Sequence, residues 1–256
     1  MESKKKLGMP DSFFTKQSLG QHIDFYQKYY NVKIKKPLKP FFEITSENWS
    51  KHLGRYENWP NFYAFFIKQK LNSEDVLLPF LSKLGQHPDT ALFHCLIRFS
   101  IAYQDKNPKE IAMSLAYWCS ILPNKQTVAP YPIQVLPSFT AKIQRVINQY
   151  TLSQNFVSLH LITSYTALLH LPKSFQKLIL PYYMSQVILL SQDFTMHKPP
   201  SVAWSDNLWN QALEKAKNSH DEHIIKILVA LKQLRSRTNL HNLGGASQST
   251  LKANFM

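Results

Sequence analysis

Three histidines of the chain lie in apolar surroundings, where an imidazole ring needs a polar partner. His94 lies in the segment LFHCLIR, His160 in LHLIT and His223 in EHIIK. A buried polar ring must form a hydrogen bond or bind an ion, and imidazole is the commonest metal-binding side chain. Each histidine alone also fits a hydrogen-bonded core residue. Together, on separate helices, they could supply the ligands of a metal site inside a helical bundle.

The pattern around these histidines indicates which metals could bind. The sequence contains no HExxH motif and no Glu-x-x-His pair of the di-iron carboxylate type. Acidic residues are scarce near the three histidines. A histidine-rich and carboxylate-poor set suits Fe, Zn, Cu or Ni better than Mg or Ca, which prefer oxygen ligands.

Lys226 follows His223 by three residues, so both side chains share one helix face. A lysine that faces an apolar interior must be paired, neutralised or expelled. A lysine carboxylated by carbon dioxide would offer an oxygen ligand to the same metal. The alternative is that Lys226 is paired with Glu222 or faces solvent.

The elements that must position these residues are predicted to be helices. The chain has 256 residues, with only 6 Gly but 15 Pro, and no alternating strand pattern persists anywhere. We therefore predict an all-α fold, a single compact domain of about ten helices with no sheet, over residues 21–236. Residues 1–20 are predicted to be a flexible tail and residues 237–256 a loose tail.

Helical periodicity places each histidine within this fold. Residues 88–104 are apolar on nearly all sides, so they predict a central helix with His94 in its middle. Residues 155–170 predict a helix that carries His160 and ends before Pro172. Residues 221–236 predict a helix that carries His223 near its start.

The net charge of the chain indicates which kinds of partner it could bind. The formal net charge is +14, from 30 Lys+Arg against 16 Asp+Glu. This balance favours an anionic partner or, alternatively, only a solvated basic surface. The densest basic run, at residues 33–39, is interrupted by Pro37 and followed by Pro40, which is typical of a loop rather than of a DNA-reading helix. We therefore expect no nucleic acid partner.

The cysteines and the apolar stretches indicate a location. Cys95 and Cys119 are the only cysteines and form no CxxC pair, which fits a reducing compartment. No apolar run follows the charged N-terminus, so we expect no signal peptide. The apolar stretch 156–171 carries His and Ser, so no membrane span is expected. A cytoplasmic location is the prediction.

Four segments resemble the questin oxidase-like family, in order and in spacing, across about residues 20–235. Residues 92–103 (LFHCLIRFSIAY) are similar to that family's FHGLIRLAYA segment, and residues 110–118 (EIAMSLAYW) to its E-x-A-x-A-LAYW segment. Residues 159–168 (LHLITSYTAL) are similar to its LHAVTGAHAL segment, and residues 221–226 (DEHIIK) to its DEHVIK segment. The family comprises helical proteins that include fungal enzymes acting on anthraquinone-type polyketides.

The resemblance implies further site residues and a chemistry. Gln21-His22 stands where the family has Asn-His, which adds His22 to the metal ligands. The implied metal is non-haem iron, with zinc or another transition metal as the alternative. No Rossmann fingerprint is present, so neither a flavin nor an NAD site is evident. The implied reaction is a Baeyer–Villiger-like oxidation or a ring cleavage by dioxygen of a polycyclic aromatic or quinone-like small molecule.

Catalytic roles are assigned on the same basis. Lys226 and Arg98 are the candidate catalytic residues, and Arg98 lies one turn from His94. Arg98 would hold a substrate carboxylate or phenolate, or else form a salt bridge with a neighbouring helix. Four aromatic residues would line a flat pocket or simply pack in the core: Tyr103, Tyr117, Trp118 and Tyr165.

The oxygenase has a non-catalytic alternative, and a third hypothesis, nucleic-acid binding through the +14 charge, predicts tight and steeply salt-dependent binding to DNA or RNA. The chain could be a non-catalytic helical protein that keeps the architecture and binds an acidic partner through its basic surface. Metal content separates the oxygenase from the non-catalytic alternative, because only the oxygenase requires a stoichiometric transition metal.

Overall fold

The computed structural model describes residues 40, 42–123, 127–132, 136–194, 197–199, 201–218, 222–240 and 243–252. These residues contain ten α-helices and no strand. The prediction of an all-α fold with about ten helices and no sheet is therefore confirmed for the described part of the chain. The predicted N-terminal tail and His22 lie outside the described residues.

The helices are numbered in the order of the chain. Within the described part of the chain, the first helical elements are two 3₁₀ turns, Trp49–His52 and Tyr56–Asn58. The α-helices are α1 (Trp59–Phe66), α2 (Glu74–Leu84), α3 (His94–Gln104), α4 (Pro108–Ile121), α5 (Leu136–Ser153), α6 (Phe156–Leu169), α7 (Lys173–Leu190), α8 (Asp206–Asn218), α9 (Glu222–Arg237) and α10 (Leu243–Lys252).

Contacts within the structure divide the chain into two units. The described residues of Pro37–Phe139 and of Ser164–Gln192 form the first unit. Thr140–Thr163 and the described residues of Asp193–Met256 form the second unit. The single domain predicted for residues 21–236 stays a prediction.

The first unit has a core rich in aromatic side chains. Helix α4 packs against α1 and α3, and α2 packs against α7. Phe66 and Phe80 meet edge to face with ring centroids 5.0 Å apart, and both are buried. Local signals set the helix starts: Pro108 occupies the first turn of α4, and the side chain of Asn107 accepts a hydrogen bond from the Lys109 N–H. Helix α3 of this core carries both His94 and Arg98.

The second unit contains α8, α9 and α10 together with residues 140–163 of α5 and α6. The apolar faces of α8 and α9 form one cluster that includes Trp209, Ala212, Ile225 and Leu228. Helix α10 packs against both helices. Burial of such side chains is the main favourable contribution to folding. The helical register of α9 that buries Ile225 and Leu228 leaves His223 and Lys226 half-buried.

Helix α10 corrects the sequence prediction of a loose C-terminal tail. Its residues Leu243 and Ala246 are buried, and Tyr150 Oη lies 3.0 Å from Thr250 Oγ1. The Ser249 hydroxyl donates to the Thr151 carbonyl. The sequence LGGASQST is poor in strong helix formers, so tertiary contacts rather than propensity stabilise this helix.

The start of α3 also differs from the prediction. The sequence predicted a helix over residues 88–104, whereas the structure begins the helix at His94. The three preceding residues are left-handed, with φ of 50° at Ala91, 52° at Leu92 and 66° at Phe93. Each such residue costs roughly 1–2 kcal/mol. Phe93 is fully buried and packs edge to face on Tyr183 at 5.5 Å, and this burial helps to offset the cost.

The left-handed turn predicts an unusual effect of Ala91→Gly. The Ala91 side chain is exposed, so its loss removes little packing. Glycine adopts positive φ without strain, so we expect the free energy of unfolding to rise by about 0.5–1 kcal/mol. Urea unfolding with Ala141→Gly as the control measures this. Ala141 is also exposed but lies inside α5, so its replacement should destabilise by about 1 kcal/mol. If Ala91→Gly lowered the free energy of unfolding by a similar amount, this result would contradict the left-handed conformation at residue 91.

Candidate functional site

His160 is held on α6 by a local hydrogen-bond pattern. The helix begins at Phe156 after Asn155, whose side-chain oxygen accepts a hydrogen bond of 3.0 Å from the Ser158 N–H. His160 follows Phe156 by one turn and is only 1% exposed. Its Nδ1 lies 2.9 Å from the Phe156 carbonyl oxygen. A carbonyl only accepts, so Nδ1 carries the proton, and in the neutral ring the lone pair is on Nε2.

His223 is the second residue of α9 and meets His160 within the second unit. The centroids of the two rings are 5.6 Å apart, and the ring planes are inclined by 63°. We call His160 and His223 the histidine pair. Two of the four predicted histidine ligands are therefore brought together, although they are separated by more than 60 positions in the sequence.

Phe156 completes a three-ring cluster with the histidine pair. Its ring centroid lies 4.3 Å from that of His160 and 5.1 Å from that of His223. Phe156 is 44% exposed, so the pair lies beside an apolar ring that reaches the surface. Sequence reasoning did not single out Phe156. Its spacing of four residues from His160 on one helix is the signal that could have found it.

The separation of the histidine pair is compatible with a shared metal ion. A metal–imidazole nitrogen bond is about 2.0–2.1 Å long, so two imidazoles on one ion have centroids roughly 4.5–6.5 Å apart. The observed 5.6 Å falls within this range. The hydrogen bond from His160 Nδ1 to a backbone carbonyl is also the outer-shell contact that usually orients a histidine ligand.

The described residues provide no larger ligand set. Among them, no group of three or more His, Cys, Asp or Glu side chains could hold a metal ion. The histidine pair thus offers two imidazoles and no third described side chain of these types beside them. Further ligands would have to come from residues outside the described part, from a modified Lys226, or from water or substrate.

Lys226 lies one turn after His223 on α9 and is half-buried. This position agrees with the shared helix face expected from the spacing of three residues. Its carboxylation stays a prediction.

His94 and Arg98 belong to the first unit. His94 is half-buried at the first position of α3, not in the middle of a helix as the sequence predicted. The exposed Arg98 places its guanidinium carbon 4.9 Å from the centroid of the Tyr117 ring on α4. Its contact with the neighbouring helix is a cation–π interaction, whereas the sequence left a substrate contact and a salt bridge open as alternatives. A common site of His94 with the histidine pair stays a prediction.

The aromatic residues suggested for a flat pocket take part in ring packing. Tyr103 packs edge to face on Phe175 at 5.3 Å, and Tyr165 stacks on Tyr183 at 6.3 Å. Trp118 is fully buried. Burial raises the pKa of Tyr103, Tyr165 and Tyr183 above the ordinary range of tyrosine. These phenols stay protonated near neutral pH, so they could donate hydrogen bonds but not act as bases.

Both cysteines lie in the core of the first unit. Cys95 and Cys119 are free and buried on α3 and α4. Burial raises the pKa of Cys95 to about 12 and that of Cys119 well above its usual value. A thiol that stays protonated is a poor nucleophile.

Two other histidines have structural partners in the first unit. His87 is 5% exposed, and its Nε2 lies 3.3 Å from Thr127 Oγ1. His170 Nδ1 donates to the Thr166 carbonyl over 2.7 Å, the same contact to the preceding turn that His160 makes. This contact alone therefore does not mark a ligand. The proximity of a second imidazole distinguishes His160.

Comparisons with known proteins add no assignment. No helix in the described part of the chain is both long and apolar enough to cross a membrane. No protein-family model, curated protein or solved structure matches the chain.

Proposed function

We propose that the chain is a non-haem metal-dependent oxygenase in which the histidine pair binds the metal. The single observation that carries the proposal is the meeting of His160 and His223 at 5.6 Å. The hydrogen bond from His160 Nδ1 to the Phe156 carbonyl supports it, because a histidine ligand usually makes such a bond with its other ring nitrogen. Iron is the proposed metal, with zinc or another transition metal as the alternative.

The proposed substrate is a small polycyclic aromatic or quinone-like molecule, with dioxygen as the oxidant. This part of the proposal is based on the resemblance to the questin oxidase-like family in the segments that contain His94, His160 and His223. The two free cysteines support a cytoplasmic location as a further part of the proposal.

The residues of the second unit would have separate roles in this site. His160 and His223 would hold the ion, and His160 is oriented in advance by its backbone hydrogen bond. A bound iron would supply the activation of dioxygen. Phe156 would shield the pair from water on one side, and its exposed ring could contact a flat substrate. Lys226 would act as a base or, if carboxylated, as an oxygen ligand.

Metal analysis of the purified full chain tests the proposal. We expect about one transition-metal ion per chain after preparation in iron-supplemented medium. A chelator should lower the melting temperature by several degrees, because a ligand that binds only the folded state stabilises that state. A metal-free preparation whose melting temperature is the same with chelator and with added Fe(II) would contradict the proposal. That result would favour the non-catalytic alternative.

A further inference from the structure

Two tryptophans, of which Trp209 is buried and Trp204 half-buried, and two exposed cations form a cluster in the second unit, which we name the cationic tryptophan patch. Its residues are Trp204, Trp209, Lys232 and Arg235. The two indole rings stack with centroids 5.5 Å apart. Lys232 Nζ lies 4.9 Å from the Trp209 ring centroid, and Arg235 Cζ lies 5.0 Å from that of Trp204. Both cationic side chains are exposed.

The sequence that follows Glu222 carries only basic charges. Residues 223–256 contain no Asp or Glu, and their five basic residues are Lys226, Lys232, Arg235, Arg237 and Lys252. The adjacent helix α8 carries Asp206 and Glu214. Among the described residues, neither Lys232 nor Arg235 forms a salt bridge with them. The two cations are therefore not neutralised by a carboxylate of the described chain.

The aromatic rings hold these cations in place. A cation–π contact at an exposed site contributes about 0.5–1 kcal/mol, which restricts two long and otherwise mobile side chains. Because Lys232 and Arg235 are already restricted, fewer side-chain rotamers are lost when a partner binds, and the affinity is reduced less by this entropic cost. Lys232 and Arg235 are three residues apart on α9, which separates them by about 4.5 Å along the helix axis. A guanidinium that faces a ring can still donate from its edge to a carboxylate.

The arrangement of the four side chains indicates which class of anionic partner the patch fits. Trp204 and Trp209 contact each other and are each covered by a cation, so they offer no open platform on which bases stack. Two cations are also few compared with the roughly 6–10 phosphate contacts of a DNA-binding surface. Carboxylates three or four residues apart on an acidic helix do match the spacing of Lys232 and Arg235.

We propose that the cationic tryptophan patch docks an acidic helical segment of a partner protein. The inference is independent of the metal site, because His223 and Lys232 are nine residues apart on α9, about 14 Å along its axis. The indole of Trp204 is half-buried and would supply an apolar contact beside the two charge pairs.

Binding of a labelled helical peptide to the full chain tests the proposal. The probe is an alanine-based peptide with glutamates at spacings of three and four residues, measured by fluorescence anisotropy and by quenching of tryptophan emission. We expect Lys232→Ala/Arg235→Ala to weaken binding about tenfold, which corresponds to about 1.4 kcal/mol. Lys83→Ala/Lys177→Ala removes the same charge from exposed positions of the first unit and should change affinity less than about twofold.

Three results would overturn the proposal. Equal weakening by the two double variants would show that only net charge matters. Equally tight binding of a peptide with glutamine in place of each glutamate would show that the carboxylates are not recognised, and this test needs no protein variant. Tighter binding of a 20-nucleotide single-stranded DNA than of the acidic peptide, at equal salt, would identify a nucleic acid as the occupant.

Discussion

Replacement of either member of the histidine pair by alanine is expected to weaken transition-metal binding at least about 100-fold. Even the outer-shell partners of metal ligands contribute about 10–100-fold to affinity, and a ligand contributes more than its outer-shell partner. His223→Ala is the cleaner variant, because His223 is half-buried whereas His160 is 1% exposed. Isothermal titration with Fe(II) under anaerobic conditions, or with Co(II), measures the change.

His170→Ala is the matched control for this experiment. His170 makes the same hydrogen bond to the carbonyl four residues earlier but lies in the first unit. His170→Ala should leave metal affinity within about twofold of that of the unchanged chain. It also shows how much stability is lost when any half-buried histidine is removed. Equal affinities of His223→Ala and of the unchanged chain would exclude the histidine pair as the metal site.

Gly244→Ala is expected to destabilise the chain by about 2–3 kcal/mol, as overpacking does. A Cβ atom at this position would lie 2.3 Å from the Val202 carbonyl oxygen and 2.7 Å from the Ala203 carbonyl carbon. Both are backbone atoms, so no side-chain rotation relieves the overlap. Helix propensity alone predicts the opposite sign, a gain of about 1 kcal/mol. Urea unfolding, with hydrogen exchange of α10, measures the effect.

The control for Gly244→Ala is Gln248→Ala on the same helix. Gln248 is exposed, so its replacement should change the free energy of unfolding by less than about 0.5 kcal/mol. If Gly244→Ala were as stable as the unchanged chain, α10 would not be docked against residues 202–203.

Most of the helices could be predicted from the sequence because their signals are local. Apolar side chains recur at helical spacing, and residues such as Asn107, Pro108 and Asn155 mark where helices start. The start of α3 could not be predicted in this way. The left-handed turn that precedes it is linked to the packing of Phe93 on Tyr183, which lies 90 residues further along the chain.

Helix α10 was missed for a related reason. Glycine and serine weaken a helical pattern, and at Gly244 the absence of a side chain is what permits the close approach to Val202 and Ala203. A composition that is typical of a loose tail therefore also fits a closely packed helix. Only the tertiary contacts distinguish the two.

The candidate site was predicted in its residue types but not in its geometry. His160 and His223 stood out as polar residues in apolar surroundings, and the structure places their rings together. Phe156 lies next to His160 because the two residues are one helical turn apart, and next to His223 because of a tertiary contact. A single sequence shows only the helical spacing. Arg98 was predicted to be near His94, but its position over the Tyr117 ring depends on how α3 packs against α4.

Anomalous diffraction from crystals of the full chain prepared with Fe(II) tests the central claim most directly. We predict an anomalous peak at the iron edge about 2.1 Å from Nε2 of His160 and from a ring nitrogen of His223. The remaining ligands would then be visible, including His22 or a carboxylated Lys226. An iron-loaded crystal whose only anomalous peaks lie away from the histidine pair, or that shows none, would contradict the account.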